Sequence, residues 1–168
     1  MNVSAQAIRK SELDKDAAHQ YLTFLLGGEE YGVDILKVQE IRSWEQPTML
    51  PNTVDYVLGV INLRGMVVPI IDLRRRFAME KSQFGQTTVV VVVKVSSANK
   101  ERTIGIVVDA VSEVYNVTDE QIRPAPDLGG AINTEFVKGL VTLDDKMIIL
   151  LDIDKLINTG VLKEIEKV

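Results

Sequence analysis

The chain has no cysteine and one histidine, His19, which lies in a polar stretch near the N-terminus. The missing cysteine removes disulfides, thiolate catalysis and every cysteine-containing zinc site, and it fits a reducing compartment. With a single histidine, neither a Ser/His/Asp triad nor a two-histidine metal site can be assembled, so His19 reads as a solvated side chain. Aromatic residues make up only 5% of the sequence. No apolar run reaches the roughly 18 residues that span a bilayer, and Met1 to Ala17 is too polar for a signal peptide. No glycine loop of the P-loop or dinucleotide kind occurs; Gly27-Gly28 and Gly129-Gly130 read as turns. The net charge of −5 and pI near 5.0 repel phosphate backbones and leave no broad basic face, which argues against a nucleic-acid binder.

What remains is aliphatic. Hydrophobic residues make up 46% of 168, so the core must be built from Val, Ile and Leu, whose β-branched members favour strands. The length suits one compact domain or two small subdomains sharing a core. Met1 to Ala17 reads as a flexible tail. Tyr21 to Ile35 alternates about Gly27-Gly28 as a hairpin. Ile35, Val38 and Ile41, spaced three apart, read as a short helical turn capped by Asp34. Strands follow at Val57 to Leu63, Met66 to Leu73, Thr87 to Val95, Arg102 to Val108 and Val111 to Tyr115. Thr118 and Gln121 form a capping-box pattern. Val137 to Leu143 and Lys146 to Leu151 make a last hairpin, and Ile153 to Lys167 reads as a C-terminal helix broken near Gly160. Many short strands with few helices imply an all-β fold of barrels or a sandwich.

The sequence also echoes itself. Val57 to Asp72 and Val137 to Asp152 align without a gap, matching Gly59 with Gly139, Leu63 with Leu143 and Asp72 with Asp152. A weaker echo links Tyr31-Gly-Val-Asp34 to Ile106-Val-Val-Asp109. Two similar small β units follow, each too small to bury its apolar strands alone and therefore packed against the other.

Carboxylates are the only candidate acids and bases, and Asp34, Asp72, Asp109 and Asp152 all fall at strand ends, where capping or turn roles account for them. Arg74-Arg75-Arg76 reads as a solvated helix face, with a small anion site as the alternative. Ile35, Leu36, Val38 and Ile41 crowd more aliphatic surface into one segment than a barrel edge readily buries. They read either as ordinary core or as a surface left for a partner. At the hairpin tip Asn62-Leu-Arg-Gly65, Arg64 stands where the second copy has Asp144, which points to two halves put to different uses.

Several of these motifs, in order, resemble the CheW coupling proteins: Tyr31-Gly-Val-Asp-Ile-Leu-Lys-Val-Gln-Glu-Ile41, Gly59-Val-Ile-Asn-Leu-Arg-Gly65, Val68-Pro-Ile-Ile-Asp-Leu73, Gly105-Ile-Val-Val-Asp109 and Gln121-Ile-Arg-Pro-Ala-Pro126. The resemblance runs from about Gln20 to Ile157. It implies two five-stranded SH3-like β-barrels about a shared core, with short helical turns and a C-terminal helix. The matching domain is then 18–158, with 159–168 as C-terminal helix and tail. It also implies a non-enzymatic, cytoplasmic adaptor, without cofactor or metal, that couples methyl-accepting chemoreceptors to the CheA histidine kinase in signalling arrays. The CheV proteins and the kinase's own regulatory domain share the fold. Kinase contacts carry over to Leu22, Ile35, Val38 and Ile41, and receptor contacts to Asn62, Arg64 and Val114, with Glu40 close by. Val95 to Arg102 departs from the family as a longer polar turn. The rival readings are a carboxylate-dependent enzyme using the groove between the barrels and an SH3-like nucleic-acid module. The first lacks a second histidine, any cysteine and a phosphate loop, and the second lacks clustered basic and aromatic residues.

Overall fold

The computed structural model describes residues 19–79, 83–126 and 134–166. The segment read as a tail, Met1 to Ala17, lies outside them. In chain order the strands are β1 (His19–Leu26), β2 (Glu29–Asp34), β3 (Val38–Ser43), β4 (Val57–Leu63), β5 (Met66–Asp72), β6 (Val89–Ser97), β7 (Lys100–Val108), β8 (Ala110–Val117), β9 (Val137–Leu143) and β10 (Lys146–Leu151). The short helices are α1 (Leu73–Arg76), α2 (Ile153–Leu156) and α3 (Leu162–Glu166). Single 3-10 turns occupy Ile35–Lys37, Asp119–Gln121 and Thr134–Phe136. The capping box closes as expected, with Gln121 Oε1 accepting from the Thr118 N–H at 2.9 Å. The C-terminal helix breaks at Thr159 and Gly160, both outside helical φ/ψ.

Two five-stranded sheets result, ordered β8-β1-β2-β10-β9 and β3-β6-β7-β5-β4. In each, a hairpin is joined through a parallel pair to one of the echoed hairpins: β10 to β2 in the first sheet, β5 to β7 in the second. Four hairpins turn on two residues with both φ positive, the geometry that matches strand twist: Gly27-Gly28, Arg64-Gly65, Ala98-Asn99 and Asp144-Asp145. Beyond the edge strands β3 and β8 the chain crosses to the opposite edge of its sheet. Thr48 exchanges two 2.9 Å backbone hydrogen bonds with Val60, and Arg123 exchanges two of 2.8 Å with Leu140.

The equivalence of the two sheets corrects the weaker echo. Leu150 pairs with Gly32 and Ile70 with Gly105, and Ile70 already corresponds to Leu150 in the hairpin echo. Gly32 therefore matches Gly105, and Tyr31 matches Ile104, two residues away from the alignment on Asp34 and Asp109. Each glycine makes room for that parallel neighbour: an added Cβ would lie 3.0 Å from Leu150 Cδ2 at Gly32 and 2.6 Å from Ile70 Cδ1 at Gly105. In this register residues 30–43 align without a gap on 103–116, matching Val38 with Val111, Glu40 with Glu113 and Ile41 with Val114. Both copies carry a register shift at the same place, between Val38 and Glu40 and between Val111 and Val114.

Two other expectations change. Val38 and Ile41 lie on strand β3; only Ile35–Lys37 is helical. Val95 to Arg102 is no loose turn, because the β6/β7 ladder continues through Val95↔Arg102 to Ser97↔Lys100 about a two-residue tip.

The apolar residues sort into three cores. The largest lies between the sheets, drawing Phe24, Tyr31 and Val33 from one and Val91, Val93 and Ile106 from the other, with Leu156, Ile157 and Val161 of the C-terminal segment. Phe24, Tyr31 and Phe77 stack in series there, with centroids 6.2 and 6.0 Å apart. A smaller core fills each sheet's own concavity: Ile61, Val68 and Val107 in one, Tyr21, Val141 and Ile148 in the other.

Gly59 shows how tightly the edge crossing is built. Its φ is +144°, and a Cβ there would lie 2.1 Å from the Thr48 carbonyl oxygen. Gly59→Ala is expected to destabilise the fold by about 1–3 kcal/mol through backbone strain and loss of the Thr48 bridge. Urea denaturation checks this, and an unchanged midpoint would show that the bridge contributes nothing.

Candidate functional site

The residues singled out for partner binding fall on and around β3. Asp34 Oδ1 accepts from the Leu36 N–H at 2.9 Å, and the Val38 N–H donates to the Ile35 carbonyl, so the 3-10 turn is fixed at both ends. This turn drives Leu36 outward to 84% exposure. Ile35 and Val38 are half-buried against the central core, and Ile41 is 43% exposed. Leu22, at 5%, is a core residue on β1 that pairs with Val33, so any part it plays at a surface is support from beneath. Past Ser43 the chain lines a cleft of about 330 Å³ with Trp44, Pro47, Met49, Leu58 and Phe84, the Trp44 and Phe84 rings stacked at 4.1 Å.

Glu40, on β3, faces the β4/β5 hairpin tip. Its carboxylate pairs with Arg64 Nη1 at 3.3 Å and with Arg42 Nη1 at 3.6 Å. Asn62 Oδ1 accepts from the Gly65 N–H at 2.8 Å and shapes the turn that carries Arg64, whose φ is +50°. Asp144, at the equivalent position, has φ +49°: one backbone geometry presents opposite charges. Val114 lies on the other sheet, opposite Leu22 on the β1/β8 ladder, and is 48% exposed. The fold thus brings Glu40, Asn62 and Arg64 together and places Val114 on the equivalent edge, where it is the counterpart of Ile41. Glu113, the counterpart of Glu40, exchanges backbone bonds of 2.8 and 3.0 Å with Thr23 Oγ1. The repeated Val-x-Glu-(Ile/Val) pattern at 38–41 and 111–114 was present in the sequence and marks both edges.

The strand-end aspartates are committed to structure. Asp34 caps Leu36, Asp72 caps Arg74 and Asp152 caps Lys155. Asp109 instead reaches across the sheets: its Oδ2 accepts from the Gly27 N–H at 2.8 Å. Its Oδ1 accepts from Arg74 Nη1 at 2.9 Å.

Arg74 corrects the reading of the arginine run as a solvated face. It is 2% exposed and also bonded to both oxygens of Asp72 and to the Gln83 carbonyl. Burial works against its charge, but hydrogen bonds and attraction from Asp72 and Asp109 outweigh it and raise its pKa above the usual arginine value. Arg76 packs its guanidinium over Tyr56 and Phe136. Among the described residues, no group of three or more His, Cys, Asp or Glu side chains could hold a metal ion, and no helix is long and apolar enough to cross a membrane.

Residues 20–160 match the family described as CheW-like domain. The chain is 50% identical over 140 residues to the chemotaxis protein CheW of Klebsiella aerogenes, covering 83% of this chain and 82% of that one. It is 37% identical to CheW of Rhizobium meliloti, covering 83% and 87%. The crystal structure of the scaffolding protein TtCheW from Thermoanaerobacter tengcongensis superposes with a TM-score of 0.75 at 34% identity, covering 85% of this chain and 90% of that one. Matched by that family's model over most of its length and by these relatives, this chain belongs to the CheW-like family of chemotaxis proteins.

Proposed function

We propose that the chain is a non-enzymatic adaptor that joins methyl-accepting chemoreceptors to the regulatory domain of the CheA histidine kinase. In this reading it works in the cytoplasm, is recruited to membrane-associated arrays without inserting into the bilayer, and needs no cofactor, metal or nucleic acid. Each sheet, with its bridged edges, corresponds to one SH3-like barrel of a CheW-like domain spanning 18–158.

The observation that carries the proposal is the β3 edge. Leu36 and Ile41 expose apolar surface, and the chain just beyond β3 lines a cleft with aromatic walls, in a protein whose prominent carboxylates all serve structure. Exposed apolar side chains of this kind are what a stable partner covers. The kinase is assigned to Ile35, Val38 and Ile41, with Leu22 beneath. The receptor is assigned to Asn62, Arg64 and Glu40, with Val114 on the opposite edge.

Co-sedimentation with a receptor cytoplasmic fragment and the kinase, with kinase activity measured in the same tube, tests the reading. The adaptor is expected to raise both assembly and activity, and failure to raise either would sink it. Arg64 is mostly exposed, and its pairing with Glu40 adds little to folding. Arg64→Ala is therefore expected to leave the fold intact while removing a charge-assisted receptor contact of about 1.5–3 kcal/mol. Titration against receptor fragment and kinase domain separately distinguishes the two surfaces, and equal losses toward both would replace them with one shared interface.

A further inference from the structure

The turn that presents Leu36 is three residues long and leaves that side chain 84% exposed. Its base is fixed by Ile35 on the central core. Its outer end is held by Lys37, whose Nζ lies 2.7 Å from Asp154 Oδ2 on α2. Asp154 Oδ1 accepts from the Ser96 N–H on β6 at 2.9 Å, and Asn158 Nδ2 donates to the Ser96 carbonyl at 3.0 Å. One carboxylate thus ties the turn to the C-terminal segment and to the β6/β7 hairpin. Behind the ion pair is a recess of about 140 Å³ lined by Tyr21, Asp34, Lys37, Lys138, Asp152 and Asp154, among others. The recess borders the turn at Asp34 and Lys37, so the Lys37 side chain has room to move there if it is released from Asp154.

We propose that Asp154 is a positioning residue for the apolar docking edge: through Lys37 it holds the Ile35–Val38 segment in the geometry that a partner meets, so the C-terminal segment controls the order of that surface. The functional half of this inference rests on the kinase reading of the β3 edge; the positioning half concerns the free protein alone. Each side chain of the pair is 27–30% exposed, so the fold is expected to survive their replacement.

The test compares Lys37→Met, Asp154→Asn and the charge swap Lys37→Asp/Asp154→Lys by amide hydrogen exchange on the free, full-length chain. For a partly exposed ion pair, exchange at Leu36 and Val38 should quicken about two- to fivefold in both single variants and recover in the swap. Ser96 exchange should stay unchanged in Lys37→Met. Titration of isolated kinase regulatory domain should show weakening by a similar factor, with the same recovery. Unchanged exchange at Leu36 and Val38 in the single variants would overturn the proposal. So would weakened binding without faster exchange, since Asp154 would then touch the partner itself. If the unaltered chain fails to bind the kinase domain, the kinase reading falls, and the exchange measurements still decide the positioning role.

Discussion

Arg74→Ala is expected to destabilise the protein by about 3–5 kcal/mol, because it leaves the buried Asp72 with only the partly exposed Arg75, 3.8 Å away, as an opposite charge and strips Asp109 of its arginine. Asp72 is fully buried, so water cannot take the place of the guanidinium. The loss should appear as a lower urea midpoint with an unchanged slope. The neighbouring Arg75→Ala is the control: Arg75 is partly exposed and stands 3.8 Å from Asp72, so a change of about 1 kcal/mol or less is expected. Comparable losses in the two variants would mean that burial does not set the importance of Arg74. The pairing also acts on the other sheet, since Asp109 holds the Gly27 N–H at the β1/β2 turn. Amide exchange at Gly27 should therefore quicken in Arg74→Ala even where the fold persists.

Ile41→Asp is expected to cost about 2–4 kcal/mol of kinase binding, roughly thirtyfold or more in Kd, with little loss of folding stability. A carboxylate forced into an apolar contact must remain ionised without a partner or take up a proton, and both are unfavourable. Val38 is the less selective probe. It is half-buried against the central core, so an aspartate there should impair folding together with binding. Calorimetric titration with isolated kinase domain, alongside circular dichroism, separates the two effects. Undiminished affinity in a folded Ile41→Asp protein would remove the β3 edge from the kinase interface.

The hairpins were legible in the sequence because period-two alternation and two-residue turns are local signals. Val57 to Leu63, Val137 to Leu143 and Lys146 to Leu151 fall where the pattern placed them. The β3 segment was not, for an identifiable reason. Ile35, Val38 and Ile41 repeat every three residues because a 3-10 turn runs into a strand with a register shift, and this imitates helical spacing. The weaker echo was misaligned because Asp34 and Asp109 are the same residue type in different jobs: one caps its own turn, the other receives Gly27 and Arg74. Arg74 stands two residues after Asp72, which caps it, but its bond to Asp109, 35 residues away, has no local signal. Of the candidate surface, the aliphatic crowding was readable. The division that turns Leu36 and Ile41 outward and Leu22 inward required the sheet register.

Strand order also bears on how the chain acquires its shape as it leaves the ribosome. The sheet β3-β6-β7-β5-β4 is drawn from one uninterrupted stretch, 38–108, and can close as soon as that stretch has emerged. The other sheet needs both ends of the protein. Its hairpin β1/β2 is made first, yet the parallel partner of β2 is β10, so Tyr31 waits for Ile149. Throughout that interval β2 has an unpaired edge, and the core residues of β1 and β2 can pack only against the sheet already formed. Synthesis halted after Asp109 would therefore release a chain with one completed sheet and an open, aggregation-prone strand.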